Sequence, residues 1–190
     1  MTREQADSGV PAEGKTIRVF SDGLLAGLRI VRLAADQLQR CRPLWKVMFD
    51  QHVDLGAALP PRPFDEAWQM RTRNYEKWLR LPDTFILGAL DGQELVGFVL
   101  TRPYDVSDTW QTPERVAMME SIAIYPEWQG KGLGSAMMDE VERQLLLRDI
   151  HDLYIDVEPA NAAALRLYER RGFTTTSCIL HVTAHDKSVT

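Results

Sequence analysis

The segment Gln129-Gly130-Lys131-Gly132-Leu133-Gly134-Ser135 decides how the rest of the chain is read. It follows an apolar run, Arg115 to Ile124 (RVAMMESIAI), and precedes a stretch in which Leu133, Met137, Val141 and Leu145 recur four apart. The first reads as a largely buried strand and the second as a helix. A strand passing through glycines into a helix N-terminus leaves several backbone N–H groups without partners. Together with the helix dipole they make an anion site suited to phosphate. Glycine matters there because a Cβ would resist positive φ and hold a ligand off. Lys131 adds a mobile positive charge.

Three phosphate motifs compete for this loop. A P-loop needs G-x-x-x-x-G-K-[ST], but Lys131 is followed by Gly132. The dinucleotide fingerprint G-x-G-x-x-G starting at Gly130 requires glycine or alanine where Ser135 stands; starting at Gly132, it requires one where Met137 stands. What fits is Q-x-x-G-x-G, carried by Gln129, Gly132 and Gly134. The glycines alone are equally compatible with an ordinary turn.

Downstream, Asp152 to Val157 (DLYIDV) reads as a strand and Asn161 to Arg171 as a helix with Asn161, Leu165 and Tyr168 on one face. Gly172 is the expected C-cap, and Phe173 to Thr183 the last strand region. Upstream, Thr84 to Leu90 and Glu94 to Thr101 form a hairpin around Asp91-Gly92, which supplies the positive φ of a tight turn. Two helices precede it. In the first, Leu38, Cys41, Trp45, Met48 and Phe49 share a face, and Pro43 requires a start or a bend. In the second, Asp65 is the expected N-cap after Pro60-Pro61-Arg62-Pro63; Trp68, Thr72, Tyr75 and Leu79 form a stripe that Pro82 ends. Leu28 to Leu33 is the first strand. Residues 1–26 read as a flexible lead-in and 27–186 as a single domain.

The fold class is therefore α/β with a mixed sheet, in the order β-α-α-β-β-β-α-β-α-β. The strand–helix–strand unit near 115–157 should be right-handed and parallel, with ligands sought at the strands' C-terminal ends.

Read together, these segments resemble the GNAT superfamily of acyl-coenzyme A-dependent N-acetyltransferases. The likeness lies in MESIAIYPEW, QGKGLG, LYIDV and the pattern N-x-x-A-x-x-L-Y-E-x-x-G-F from Asn161 to Phe173, covering roughly 113–174 closely. The resemblance implies central parallel strands that splay apart to admit the pantetheine arm. Ile122 and Ile124 would offer backbone groups to that arm, with Ala123 between them. Gln129, Gly130, Lys131, Gly132, Leu133, Gly134 and Ser135 would hold the pyrophosphate. Asn161 would hydrogen-bond the arm, cap its own helix, or do both. Tyr168 corresponds to the tyrosine that protonates the leaving thiolate; a phenol is neutral at pH 7 and can donate in a dry crevice, although a packed core tyrosine is the alternative.

The attacking amine must lose a proton, and Glu120 is the expected base, directly or through water. Glu120 shares parity with Ile122 and Ile124, so it reaches the site only if its face opens there or a bulge turns it; Asp156 is its rival. The N–H of Ile124 or its neighbour could stabilise the oxyanion. Neither Cys41 nor Cys178 belongs to a nucleophile motif, so direct transfer in a ternary complex with acetyl-CoA is expected, with no metal. His181 and His185 are four apart but lack the helix and glutamate of a zinc motif.

Composition limits the alternatives. With 190 residues, 45% hydrophobic and 26% charged, the chain is an ordinary globular domain. A net charge of −5 argues against nucleic acid as partner and mildly favours a cationic amine, such as an aminoglycoside, a polyamine or a lysine side chain. No apolar run reaches the length of a membrane span, residues 2–15 are polar where a signal peptide would be apolar, and two cysteines fit reduced thiols in the cytoplasm. Trp45, Trp68, Tyr75, Trp78 and Trp110 are the expected aromatic walls of an acceptor pocket. The resemblance leaves a homodimer open. Two other functions remain: a non-catalytic acyl-CoA sensor or interaction module, and a regulator binding another phosphate ligand.

Overall fold

The computed structural model describes residues 11–56, 59–105 and 115–180. Among these residues six strands lie in one sheet in chain order: β1 (Thr16–Val19), β2 (Leu28–Leu33), β3 (Phe85–Asp91), β4 (Glu94–Tyr104), β5 (Val116–Ile124) and β6 (Asp152–Ile155). Neighbours are antiparallel up to β5, and β5 pairs with β6 in parallel across the crossover helix. The helices are α1 (Arg42–Asp54), α2 (Phe64–Trp78), α3 (Leu133–Leu146) and α4 (Ala162–Arg170).

Alternation on β3 shows how the layers are made. Leu87 and Ala89 pack with Met137, Val141, Leu145 and Tyr168, so α3 and α4 cover one face. Ile86 and Leu90 pack with Leu44, Trp45, Trp68 and Tyr75, so α1 and α2 cover the other. Residues 85–90 are buried throughout, which is why FILGAL reads as an unbroken apolar run. The hairpin turns at Gly92 with φ +56°. Pro43 sits in the first turn of α1, where its missing N–H costs nothing, and a 3-10 stretch over Ala35–Cys41 leads in.

Three expectations are corrected. Part of the presumed lead-in is ordered: β1 pairs with β2, Thr16 opposite Val31 and Val19 opposite Arg29. This strand has four residues, too few to show a period. Helix α2 begins one residue before Asp65, with Pro63 as its cap residue; Asp65 lies in the first turn and pairs with Arg42 at 2.5 Å. Residues 173–180, expected to begin a last strand, join no ladder, and Ile179 and Leu180 are each 93% exposed. The alternating pattern is present there, but no neighbouring strand supplies the half-buried surface a strand needs.

The feature that opens the sheet is a bulge in β5. Thr101 of β4 is opposite Met119 and Leu100 is opposite Ser121, so Glu120 has no residue across from it. Parallel pairing with β6 runs from Val116↔Asp152 to Met119↔Ile155 and stops there, although β5 continues to Ile124. A bulge bends its strand and increases local twist. Here it turns β5 away from β6 immediately after their last pair.

Candidate active site

Beyond the bulge at Glu120, the four residues Ser121–Ile124 remain laddered to β4 and border a cleft on the side β6 has left. The cleft has a volume of roughly 1270 Å³ and is walled by β5, the glycine loop, the start of α4, α1 and α2. Glu120, Ile122, Ala123, Ile124, Gln129, Gly130, Gly132, Gly134, Ser135, Asn161 and Tyr168 all line it, as does Asp156. Lys131 and Leu133 do not. Lys131 rests over the Trp128 ring at 4.8 Å, and the Leu133 side chain is fully buried in the core.

The loop has the backbone geometry its glycines imply. Gly130 and Gly132 take φ +70° and +92°, and no atom would meet a Cβ at Gly132 within 4 Å, so conformation rather than crowding selects glycine there. The first bond of α3 is Ala136 N–H to Gly132 C=O at 3.0 Å. The N–H groups of Gly130 to Ser135 find no backbone partner among the described residues. The Gln129 side-chain amide donates to the Ile124 carbonyl at 2.9 Å, tying loop to strand end. This is a row of free donors at a helix N-terminus beside an open strand edge, a fit for a diphosphate joined to an extended amide chain.

On the far wall, Asn161 Oδ1 accepts from Ala164 N–H at 3.1 Å, so Asn161 caps α4 and leaves its NH₂ group for other partners. Tyr168, on the same helix face, is 7% exposed and packs against Phe173 at 5.6 Å. Its hydroxyl has no hydrogen bond among the described residues, and burial pushes its pKa up to about 12.

Glu120 occupies the bulge and is held by cations. Its Oε1 accepts from Arg102 Nε at 2.7 Å and lies at the same distance from Nη2 in an ion pair, while Oε2 lies 3.6 Å from Arg71 Nη1. Arg102 in turn lies 4.7 Å over the Trp78 ring. Next to the bulge, the Ser121 hydroxyl donates to the Glu120 carbonyl at 2.6 Å and meets the Tyr75 hydroxyl at 2.5 Å. Tyr75 is fully buried, and burial raises its pKa. The hydroxyl of α2 thus pins the backbone kink of β5. Sequence reasoning did not single out Ser121, Arg71 or Arg102, because the bulge that unites them exists only in the pairing of two strands.

The expected aromatic walls are mostly core. Trp68 and Tyr75 are buried and meet edge to face at 6.3 Å, and neither they nor Trp78 line the cleft; Trp45 does. Trp110, His181 and His185 lie outside the described residues. Cys41 is buried, with its thiol pushed up to about 12, and Cys178 is exposed; both are free. Among the described residues no group of three or more His, Cys, Asp or Glu could hold a metal, and no helix is long and apolar enough to cross a membrane.

Comparison with known proteins gives a consistent picture. Residues 49–173 match the acetyltransferase (GNAT) family. A mycothiol acetyltransferase of Streptomyces griseus is 30% identical over 165 residues, covering 86% of this chain and 44% of that protein. A ribosomal protein bS18-alanine N-acetyltransferase of Escherichia coli is 39% identical over 57 residues, 30% of this chain and 38% of that protein. The chain spans between 38% and 63% of the length of the mycothiol acetyltransferases it matches. An aminoglycoside N-acetyltransferase solved with CoA shares the fold, with a TM-score of 0.63 at 16% identity, over 83% of this chain and 94% of that one.

Proposed function

The chain belongs to the acetyltransferase (GNAT) family, and from that premise we propose that it transfers an acetyl group from acetyl-CoA to a primary amine of a small molecule or peptide. The observation that carries this reading is the end of the β5–β6 ladder at Met119 and Ile155, beside a helix N-terminus rich in free N–H groups. The pantetheine arm lies along Glu120–Ile124, chiefly on the backbone of Ile122 and Ile124 with Ala123 between them, and the diphosphate rests on the amides of 129–135. The Asn161 NH₂ group, unused by its capping role, donates to the arm.

Transfer is direct, in a ternary complex. The amine, once neutral, attacks the thioester carbonyl; the Ile124 N–H stabilises the oxyanion, and Tyr168 gives its proton to the departing thiolate. A phenol whose pKa is raised to about 12 is fully protonated at neutral pH and so ready to donate. Glu120 accepts the amine proton through Oε2, the oxygen that Arg102 does not occupy, directly or by way of water. Cys41 is buried with a raised pKa and Cys178 is not among the cleft residues, which supports a route without an acyl-enzyme. The two unpaired cysteines also support a cytoplasmic location.

The test is thiol release from acetyl-CoA over a panel of primary amines, alongside calorimetric titration with CoA. Amine-dependent release with CoA binding is expected; no heat with any CoA species would overturn the assignment. One observation favours the second reading, a non-catalytic acyl-CoA sensor: the carboxylate nominated as base is shared between two guanidinium groups. Tight CoA binding with no turnover over the whole panel would select it.

A further inference from the structure

The two ends of the cleft differ in charge. Away from the glycine loop its wall is built by α1, residues 59–62, α2 and the end of β4, and three arginines line it: Arg62, Arg71 and Arg102. Of the acids that line the cleft, Glu120, Asp156 and Glu158, it is Glu120 that pairs with these arginines. It serves two of the three at once, both 2.7 Å contacts going to Arg102 and the 3.6 Å ion pair to Arg71. This end therefore holds an excess of positive charge inside a protein whose net charge is −5.

Arg102 is committed to structure. Its Nε and Nη2 meet Glu120, its Nη1 donates to the Pro103 carbonyl at 2.9 Å, and its plane lies over Trp78. Arg71 is different. Its guanidinium lies 5.7 Å from the Tyr75 ring and touches Glu120 through Nη1 alone, and its Nε and Nη2 have no hydrogen-bond partner among the described residues. The side chain is 33% exposed, half-sunk in the wall. Asn74, one helical turn further along α2, lines the same wall, and no ion pair to Arg62 is found among the described residues. A planar guanidinium held by one edge, with its other donors free in a cleft, matches the paired oxygens of a carboxylate or phosphate. A polycationic acceptor would meet the opposite.

We propose that Arg71, backed by Arg62 and Asn74, is an oxyanion-binding subsite for the acceptor, so that the amine receiving the acetyl group also carries an acidic group. The inference rests on the acetyl-transfer reading of the cleft for the word acceptor, but the subsite can be tested by binding alone. The probes are matched pairs differing in the acid: glycine and glycinamide for a carboxylate, O-phosphoethanolamine and ethanolamine for a phosphate, with spermidine as the polycation. Binding is measured by calorimetry at saturating CoA, and thiol release from acetyl-CoA is recorded separately on the same compounds.

The acidic member of at least one pair is expected to bind about 10- to 100-fold more tightly than its neutral partner, the range for a charge-assisted contact in a partly dry site. Which pair shows the gap distinguishes carboxylate from phosphate. Arg71→Gln should abolish the gap with CoA affinity kept, and Arg62→Gln should reduce it, which covers the case of an Arg71 variant that folds poorly. No preference for either acidic member, tighter binding of spermidine, or an Arg71→Gln variant that folds, binds CoA and keeps the preference would overturn the subsite. Selective binding without thiol release would instead leave the subsite standing and remove the transfer reaction.

Discussion

Glu120 Oε1 accepts from Arg102 Nε and lies 2.7 Å from its Nη2, while Oε2 lies 3.6 Å from Arg71 Nη1. If that oxygen takes the amine proton, Glu120→Gln can keep the contact to Arg102 through the amide oxygen while losing the base and the ion pair to Arg71. Turnover should fall about 10²–10⁴-fold with CoA affinity unchanged. Equal turnover of the variant across pH 6–9 would show that another group or solvent does the work.

Tyr168→Phe removes a hydroxyl with no other partner among the described residues, so little stability should be lost. The expected result is a fall in kcat of about 10²–10⁴-fold, with the CoA dissociation constant within twofold of the parent. Unaltered kcat would reduce Tyr168 to a packing residue against Phe173.

Tyr75→Phe tests the pin under the bulge. Losing the bond to the Ser121 hydroxyl should cost about 0.5–1.5 kcal/mol in urea unfolding. It should also lower kcat, because the Ser121–Glu120 turn loses one of its two restraints. A purely structural role would give the stability loss with no change in kcat or its pH profile.

Gly132→Ala forces a Cβ into a left-handed backbone at φ +92°. A loss of about 1–2 kcal/mol in stability is expected, together with weaker CoA binding measured by calorimetry, since the amides of the loop must shift. Full CoA affinity in a correctly folded variant would place the diphosphate elsewhere.

Alkaline unfolding follows from three buried acids. Cys41 is raised from 9.0 to about 12, Tyr168 from 10.0 to about 12, and Tyr75 upward as well, each chiefly by burial of the charged form. A raised folded pKa means that the stabilisation is complete below the unfolded value and is lost as pH climbs toward the folded one. The urea midpoint should hold steady to about pH 9 and then drop progressively toward pH 12. A flat midpoint from pH 8 to 11.5 would contradict the burial of these groups.

What the sequence discloses is what is local. The glycine loop, the cap at Asn161 and the Tyr168 face depend on φ values and on spacings within one element, and all were legible. The hairpin around Gly92 was legible for the same reason. The bulge was foreseeable only as a condition for Glu120 to reach the site, because its two-against-one count involves Leu100 and Thr101, some twenty residues away. Arg71 and Arg102 stand on different elements, and only the fold brings both to one carboxylate. Net charge pointed toward a cationic acceptor, whereas Arg62, Arg71 and Arg102 line the cleft away from the glycine loop: a sum over the chain erases position. The strand expected over 173–183 had a pattern but, over its described part, no partner to pair with.

The early end of the Met119–Ile155 ladder means that the apoprotein carries an unfinished seam through its middle. On the proposed reading a bound thioester would complete that seam, and the ligand would behave as a missing piece of the architecture. At a hundred times its dissociation constant it would add about 2.7 kcal/mol to folding. Resistance to proteolysis, and with it the protein's lifetime, would then rise and fall with the supply of activated acetate.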